Sequence, residues 1–565
     1  MSNYSESLLV HFRRAEDLKR EALLYPSIDL NKRQLCDLEL LLNRAFYPLK
    51  GYLDRIDYES VLSSMRLADK TVWPMPICLD VTEKTASSLQ EGQKIALNDE
   101  EGFMLAILTV GDIWKPDKRM EAEKVYGCVN AEKHPGVRYL LNSAADWYVG
   151  GAIEGLHLPL HFDFKELRLT PSDTNRRFSQ SGWRNIIGFH TDEYLHCAHR
   201  EMVMKAARDS SCNIFLQPVV GLDHPGNIDH YTHVRCYEEI VKQFPRSMSM
   251  LSLIPLANRW AGPREALWHA IIKKNYGCSH FLVADNHGDP FAHLENDGLF
   301  YPPHAAQETV AQYGDEIGIT MVPLKEMVYV EDRAEYIAKD EATPDMDIKG
   351  ISSAELKRRL ENDLEIPAWF SYPEVVAELK KAFPPRSRQG FTVFLTGLSG
   401  SGKSTIAKAL MIKFMEMRER PVTLLDGDIV RHNLSSELTF SKEHRNLNIT
   451  RIGFVASEIT KNGGIALCAP IAPYEESRQV NRELISRYGG YIEVHVATPI
   501  EVCEQRDRKG LYAKARAGTV KGVTGVSDPY IPPANPELTI DTTNITPAEA
   551  AQEILLYLEE QGYIK

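Results

Sequence analysis

Over the first 165 residues, short apolar runs such as TVWPMPICLDV, KIALND and GFMLAILTVGDIW alternate with Gly, Pro and Asp breaks. Runs of this length and punctuation read as strands and turns. A β-rich domain is therefore expected over residues 1–165. From 166 to 345 the pattern changes. Strand-like runs (NIFLQPVVG, MSMLSLIPLA, SHFLVAD, IGITMVPL) alternate with helical stretches (AHREMVMKAARD, PREALWHAIIKKNYG). That alternation predicts a parallel sheet with crossover helices, a Rossmann-like layout. Residues 346–385 read as a short helical subdomain ending in the polar linker PPRSRQG. FTVFLTG then opens a second α/β unit over 386–565. The expected fold class is a multidomain α/β chain.

Composition narrows the function classes. The 565 residues are 43% hydrophobic and 25% charged, ordinary globular values. With 65 basic against 78 acidic side chains, the net charge of −13 argues against a nucleic-acid or anionic-membrane surface. An acidic protein that binds phosphates must do so through local sites. The nine cysteines form no CxxC pair, which reads as buried thiols in a reducing compartment. The amino terminus becomes charged before a signal-like apolar core can form, and no apolar stretch approaches the ~20 residues of a membrane span. A soluble, cytoplasmic protein is expected.

The strongest motif is Gly397-Leu398-Ser399-Gly400-Ser401-Gly402-Lys403-Ser404-Thr405, a GxxxxGK[ST] loop between the apolar run from Phe391 to Leu395 and the helical pattern IAKALMIKFMEM. Glycines let backbone N–H groups approach phosphates, Lys403 neutralises β/γ oxygens, and Ser404 can hold Mg²⁺. About twenty residues on, VTLLDGDIVR places Asp426 and Asp428 at a strand end. They read either as a helix cap and a turn residue or as carboxylates facing a ligand crevice. Phe440, Arg445, Asn448 and Arg451 follow at spacings that put both arginines on one helical surface. Beside a phosphate loop they suggest an anionic nucleotide acceptor whose base stacks on Phe440. The basic, glycine-rich RDRKGLYAKARAGTVKGVTG reads as a lid over the reaction.

Together DGDxVRH, FSxxxRxxNxxRxG, IxPY, RDxKGLYxKARAGxxKGxTG and DPYxPPxNPEL resemble adenylylsulfate (APS) kinase over residues 390–565. The resemblance implies transfer of the γ-phosphate of MgATP to the 3′-hydroxyl of APS, giving 3′-phosphoadenylylsulfate. It implies Asp428 as the base, Lys403 as a catalytic cation, and an acceptor site of Arg431, Phe440, Arg445, Asn448, Arg451, Ile471, Ala472 and Lys509. Two positions depart from the family. Ala472 stands where many relatives carry a serine, so no covalent route runs through that position. Val523 replaces a frequent phenylalanine, which is expected to weaken one face of the adenine sandwich.

In the middle region His196 and His199 share one helix face and can be read as metal ligands, with His224, His230, His233 and His287 as further candidates. No HExxH pattern accompanies them, so histidines satisfied by hydrogen bonds or phosphate contacts are the favoured reading. GFHTDEYLHCAHRE, GPREALWHAI and VPxxxMVYVED resemble ATP sulfurylase, with a PUA-like domain ahead of it, over most of residues 1–380. The order is that of a bifunctional PAPS synthase. In that family the HxxH histidines, here His196 and His199, contact ATP phosphates. The two anion-binding blocks diverge. Where relatives have [QH]TRNPxH, this chain has His190-Thr191-Asp192-Glu193-Tyr194-Leu195-His196. Where they have GRDHAG, it has Ala284-Asp285-Asn286-His287-Gly288-Asp289.

Each lost arginine becomes an aspartate beside a polyanion, so the expectation is an APS kinase fused to a degenerate sulfurylase region. The expected substrates are ATP with Mg²⁺ and APS, in a homo-oligomer without nucleic-acid or membrane partners. Three alternatives stay open: a working bifunctional enzyme in which other cations replace the arginines, an amino-terminal regulatory or oligomerisation module, and a changed, metal-assisted chemistry at the acidic site.

Overall fold

A computed structural model describes residues 7–191, 195–222, 229–291, 298–507, 510–520 and 522–565. The chain divides into two compact units. One holds residues 1–356 and 365–382, the other 357–364 and 383–565. The 346–385 stretch is thus divided. Ile348–Lys349 pairs antiparallel with Met327–Val330, Pro373–Ala382 packs in the first unit, and residues 357–364 group with the second.

The first unit opens on a six-stranded sheet built around Met104–Trp114 and Trp147–Gly155, flanked by helices. One of these, Lys32–Leu42, is buried almost all round and carries an Asn31–Gln34 capping box. A second sheet follows, all parallel, with the order Thr320–Pro323, His280–Val283, Ile186–Phe189, Asn213–Leu216, Ser249–Leu251. The chain starts at the central strand, winds to one edge, then returns to fill the other side. The switch point lies between Ile186–Phe189 and His280–Val283, and ligands of such sheets bind outside the strand carboxyl ends at that point.

The two sheets share one apolar core that runs from Leu38 and Trp73 to Trp268 and Phe281. Buried within this unit, the Arg259 Nη2 donates to both Asp37 oxygens at 2.6 Å. Removing one partner of such a pair strands a desolvated charge. Asp37→Ala is therefore expected to lower the unit's stability by about 3–5 kcal/mol, read from the shift of its denaturation midpoint.

The second unit is also an all-parallel sheet, in the order Val422–Asp426, Ile465–Ala469, Phe391–Thr396, Gly490–Val496, Leu538–Ile540. Its central strand is buried along its whole length, and the helices Lys403–Met417 and Pro547–Glu560 cover one face. All nine cysteines are free thiols, seven of them buried. Among the described residues, no helix is long and apolar enough to cross a membrane.

Candidate functional site

The phosphate loop leaves the carboxyl end of the central strand Phe391–Thr396 and runs into the helix Lys403–Met417. Gly400 and Gly402 take φ of 78° and 104°, values that side chains resist, so the tight curl around a phosphate depends on glycine there. Lys403 is buried, and its Nζ donates to the Leu398 carbonyl at 2.7 Å. Ser404 and Thr405 are exposed in the helix's first turn. The loop is pinned from below: the Ser401 carbonyl accepts from Thr542 Oγ1 at 2.9 Å and from Thr498 Oγ1 at 3.2 Å, while Arg506 Nη1 donates to Thr542 Oγ1 at 2.8 Å. These three side chains were not picked out in the sequence. Arg506 lies in the RDxKGLY block, but the threonines carry no local signal.

Asp426 ends the strand Val422–Asp426 and caps the helix Gly427–Leu434, its Oδ1 accepting from the Asp428 N–H at 3.1 Å. Asp428 sits in that helix's first turn. Arg431, one turn on, donates to the Leu438 and Thr439 carbonyls at 3.0 and 3.2 Å and lies 4.5 Å from the Phe440 ring centroid. Burial lowers its pKa, the Arg445 guanidinium adds to this, and Asp428 opposes it, so the three charges share one field. Phe440 presents an exposed ring, 65% accessible, suited to a stacking partner.

The long helix Lys442–Lys461 carries Arg445, Asn448 and Arg451. Arg445 reaches the 522–528 segment rather than open space: it bonds Thr524 Oγ1 at 3.0 Å, the Gly522 carbonyl, and Asp528 Oδ2 at 3.0 Å. Arg451 Nη1 donates to the Leu434 carbonyl at 2.7 Å and to Glu437 at 2.6 Å. Asn448 is buried, and its amide oxygen has no hydrogen-bond partner among the described residues.

The Ile471 carbonyl accepts from Thr396 Oγ1 at 2.7 Å and from the Gly397 N–H at 3.3 Å, which ties the IAPY turn to the phosphate loop. Ala472 is buried at φ 47°, and its carbonyl accepts from the fully buried Arg478 at 2.6 Å. Val523 packs with Cys503 and Tyr512 in a small apolar cluster. Lys509 lies outside the described residues.

At the switch point of the first unit's parallel sheet lies a cavity of about 1050 Å³. His190 follows the strand Ile186–Phe189, His287 follows His280–Val283, and His269 rises from the helix Pro263–Asn275. The three imidazoles face one another. His269 Nδ1 and His287 Nε2 are 2.9 Å apart, and ring centroids are separated by 4.9 Å (His190–His269), 5.2 Å (His190–His287) and 5.1 Å (His269–His287). Burial holds all three neutral. His190 and His269 lie well below the usual imidazole range, and His287 is pushed down to about 4. The buried Lys273, bonded to Gln217 at 2.8 Å, is itself lowered to about 7 by desolvation.

His196 and His199 also line the cavity, their rings tilted against each other at 4.2 Å, with His196 stacked on Phe370 at 4.5 Å. Among the described residues no third ligand group joins them. His230 bonds Asp163 at 3.1 Å, and burial drives His233 to about 4. The histidines therefore cluster differently from the sequence grouping: His287 joins His190 and His269. His269 carries no local signal because its neighbours from Ala266 to Ile272 are all apolar. Thr191 lines the cavity and donates its N–H to Tyr237 Oη at 3.1 Å. Asp285 is exposed, while Asp289 is buried and accepts the N–H groups of Phe291, Phe300 and Tyr301 at 2.8–2.9 Å. Asp192, Glu193 and His224 lie outside the described residues.

Family models match three consecutive stretches: a PUA-like domain over residues 5–158, ATP-sulfurylase over 165–382 and adenylylsulphate kinase over 389–541. A sulfate adenylyltransferase of Phaeosphaeria nodorum is 48% identical over 98% of this chain and 96% of its own length. The chain belongs to the ATP sulfurylase–APS kinase family. A second sulfate adenylyltransferase, from Chaetomium globosum, is 47% identical over the same shares. Among solved structures, the hexameric APS kinase from Thiobacillus denitrificans superposes with a TM-score of 0.81 at 40% identity, covering 99% of this chain and 97% of that one. The carboxyl-terminal unit is an APS kinase domain, an ATP-dependent phosphotransferase, behind a PUA-like domain and a sulfurylase-type domain.

Proposed function

We propose that the chain phosphorylates the 3′-hydroxyl of APS with ATP and that its sulfurylase-type domain does not adenylylate sulfate. The observation carrying this reading is the contrast in arginines between the two sites. The kinase unit keeps Lys403 in its glycine loop, and Arg431 and Arg445 share one field with Asp428, while Arg451 pairs with Glu437. The switch-point cavity of the other unit is lined by neutral histidines, the exposed Asp285 and three lysines, Lys325, Lys339 and Lys349, with no arginine among its described lining residues.

In the kinase domain the donor's phosphates lie in the glycine cradle, where Lys403 exchanges its bond to the Leu398 carbonyl for phosphate oxygens. The oxygen donors available, the Ser404 hydroxyl and the strand-end carboxylates, suit a hard cation, and Ser404 would hold Mg²⁺. When bound, that ion neutralises charge on the β and γ phosphates. Asp428 accepts the proton of the 3′-hydroxyl as it attacks. Phe440 stacks on the acceptor's adenine, and Arg431 and Arg451 set the loop that carries it. Arg445 couples the acceptor helix to the lid through Gly522, Thr524 and Asp528, so closing the lid excludes water as the acceptor site is completed. Ile471 and Ala472 form the wall opposite. The enzyme is read as a cytoplasmic homo-oligomer, in line with its hexameric relative.

Separate assays of the two half-reactions on the purified full chain test this. ATP-dependent formation of phosphoadenylylsulfate is expected, without sulfate-dependent pyrophosphate release. Robust turnover in the sulfurylase direction overturns the second half of the reading. Because Ala472 offers no hydroxyl, transfer is direct. Rapid quenching with γ-labelled ATP is expected to find no phosphorylated protein at any time in the turnover, and labelled protein would show a covalent route.

A further inference from the structure

The arrangement of His190, His269 and His287 matches more than a chance contact of rings. An ion held tetrahedrally by imidazole nitrogens at ~2.0–2.1 Å places the ring centroids about 5 Å apart. The three centroid separations here are 4.9, 5.2 and 5.1 Å, close to an equilateral triangle, with the planes 66°, 83° and 86° apart. One ring nitrogen from each lies within 4.8 Å of the other two. We propose that these three histidines bind one zinc-like divalent transition-metal ion.

Hydrogen bonding alone leaves the cluster incomplete. One proton can bridge His269 Nδ1 and His287 Nε2 at 2.9 Å, but Nδ1 of His190 is buried with no hydrogen-bond partner among the described residues. Nor does Nε2 of His269 have one. It faces Glu265 Oε1 at 3.5 Å, and that carboxylate is itself fixed by the N–H groups of Arg259 and Ala261, each at 2.8 Å. A carboxylate behind the outer nitrogen of a ligating histidine is the usual support of such a ligand, orienting the ring and raising its basicity. Three neutral nitrogen donors without a thiolate favour Zn²⁺, Co²⁺, Ni²⁺ or Cu²⁺ over Mg²⁺ or Ca²⁺. All three rings line the 1050 Å³ cavity, so the fourth position opens to water or to an anion's oxygen. The ion restores positive charge to a cavity whose sequence has exchanged arginine for aspartate. All of these residues belong to the first unit, so the proposal does not depend on the phosphotransfer reading.

The test uses the full chain, stripped with a chelator and equilibrated against buffered Zn²⁺, with metal read by mass spectrometry. One zinc per chain is expected. Loading with Co²⁺ is expected to give the intense visible bands of a tetrahedral nitrogen site, with no thiolate charge-transfer band from the nine cysteines. His190→Gln and His287→Gln are each expected to weaken binding at least ~100-fold. Glu265→Gln is expected to weaken it about 10–100-fold, and Cys128→Ser to leave it unchanged. A metal content equal to the chelator blank, a thiolate band, or full occupancy in the histidine variants overturns the proposal. Should a variant fail to fold, the stoichiometry and cobalt spectrum of the unaltered chain decide alone.

Discussion

Asp428→Asn is expected to lower kcat for APS phosphorylation by about 10²–10⁴-fold, the usual contribution of a positioned general base. The amide keeps the side chain's size but cannot take the hydroxyl's proton. The cap that Asp426 provides to this helix survives, because it accepts from the backbone N–H of residue 428 and not from its side chain. The KM for ATP is therefore expected to change little, because on the proposed reading donor phosphates bind through the glycine loop and Lys403. This split separates a base from a merely structural carboxylate, whose loss would raise both KM values and lower stability. Lys403→Ala provides the contrast. It removes a buried charge aimed at the donor and is expected to impair ATP binding and turnover together. Initial rates with both substrates varied, alongside thermal unfolding of each variant, distinguish these outcomes. An Asp428→Asn enzyme near the unaltered rate would remove the residue from the mechanism.

Such a test could be designed from sequence because the phosphate loop is local. Strand, glycine turn and helix are contiguous between Phe391 and Met417, and each announces itself by periodicity or by residues that only that turn requires. The parallel sheets were legible for a related reason: buried strands are continuous apolar runs separated by helical patterns. The helix Lys32–Leu42 was not. Buried nearly all round, it shows no polar face to set its period. The histidine triangle was hidden more deeply. Its members come from two strand ends and a buried helix, and only the reversal of winding at the switch point brings them together. His196 and His199, three apart in sequence, read as the better pair. Arg445 adds a contact that spacing does not show: its side chain also engages Thr524 and Asp528, far along the chain.

Adenylylation of sulfate is expected to be at least ~10⁴-fold slower than phosphotransfer in the same preparation, and the reason is missing donors more than added repulsion. Two unit charges at 4 Å interact by about 4 kcal/mol at an effective dielectric of 20 but only about 1 kcal/mol in water. Asp285 is exposed, so its repulsion of an anion falls toward the lower figure. Loss of one oriented donor to a developing oxyanion costs about 10²–10³ in rate, and two arginines are absent at the family's anion-binding positions. It follows that Asp285→Asn, which removes the charge without supplying a donor, should raise sulfate-dependent pyrophosphate release by no more than about tenfold. Asp285→Arg alone should also leave it far below the phosphotransfer rate, because the second donor is still missing at Asp192. Only the double exchange Asp192→Arg with Asp285→Arg is expected to bring the reaction clearly above background. Assaying the three variants with radiolabelled pyrophosphate exchange orders the two effects. Recovery with Asp285→Asn alone would mean that repulsion, not donor loss, had silenced the cavity.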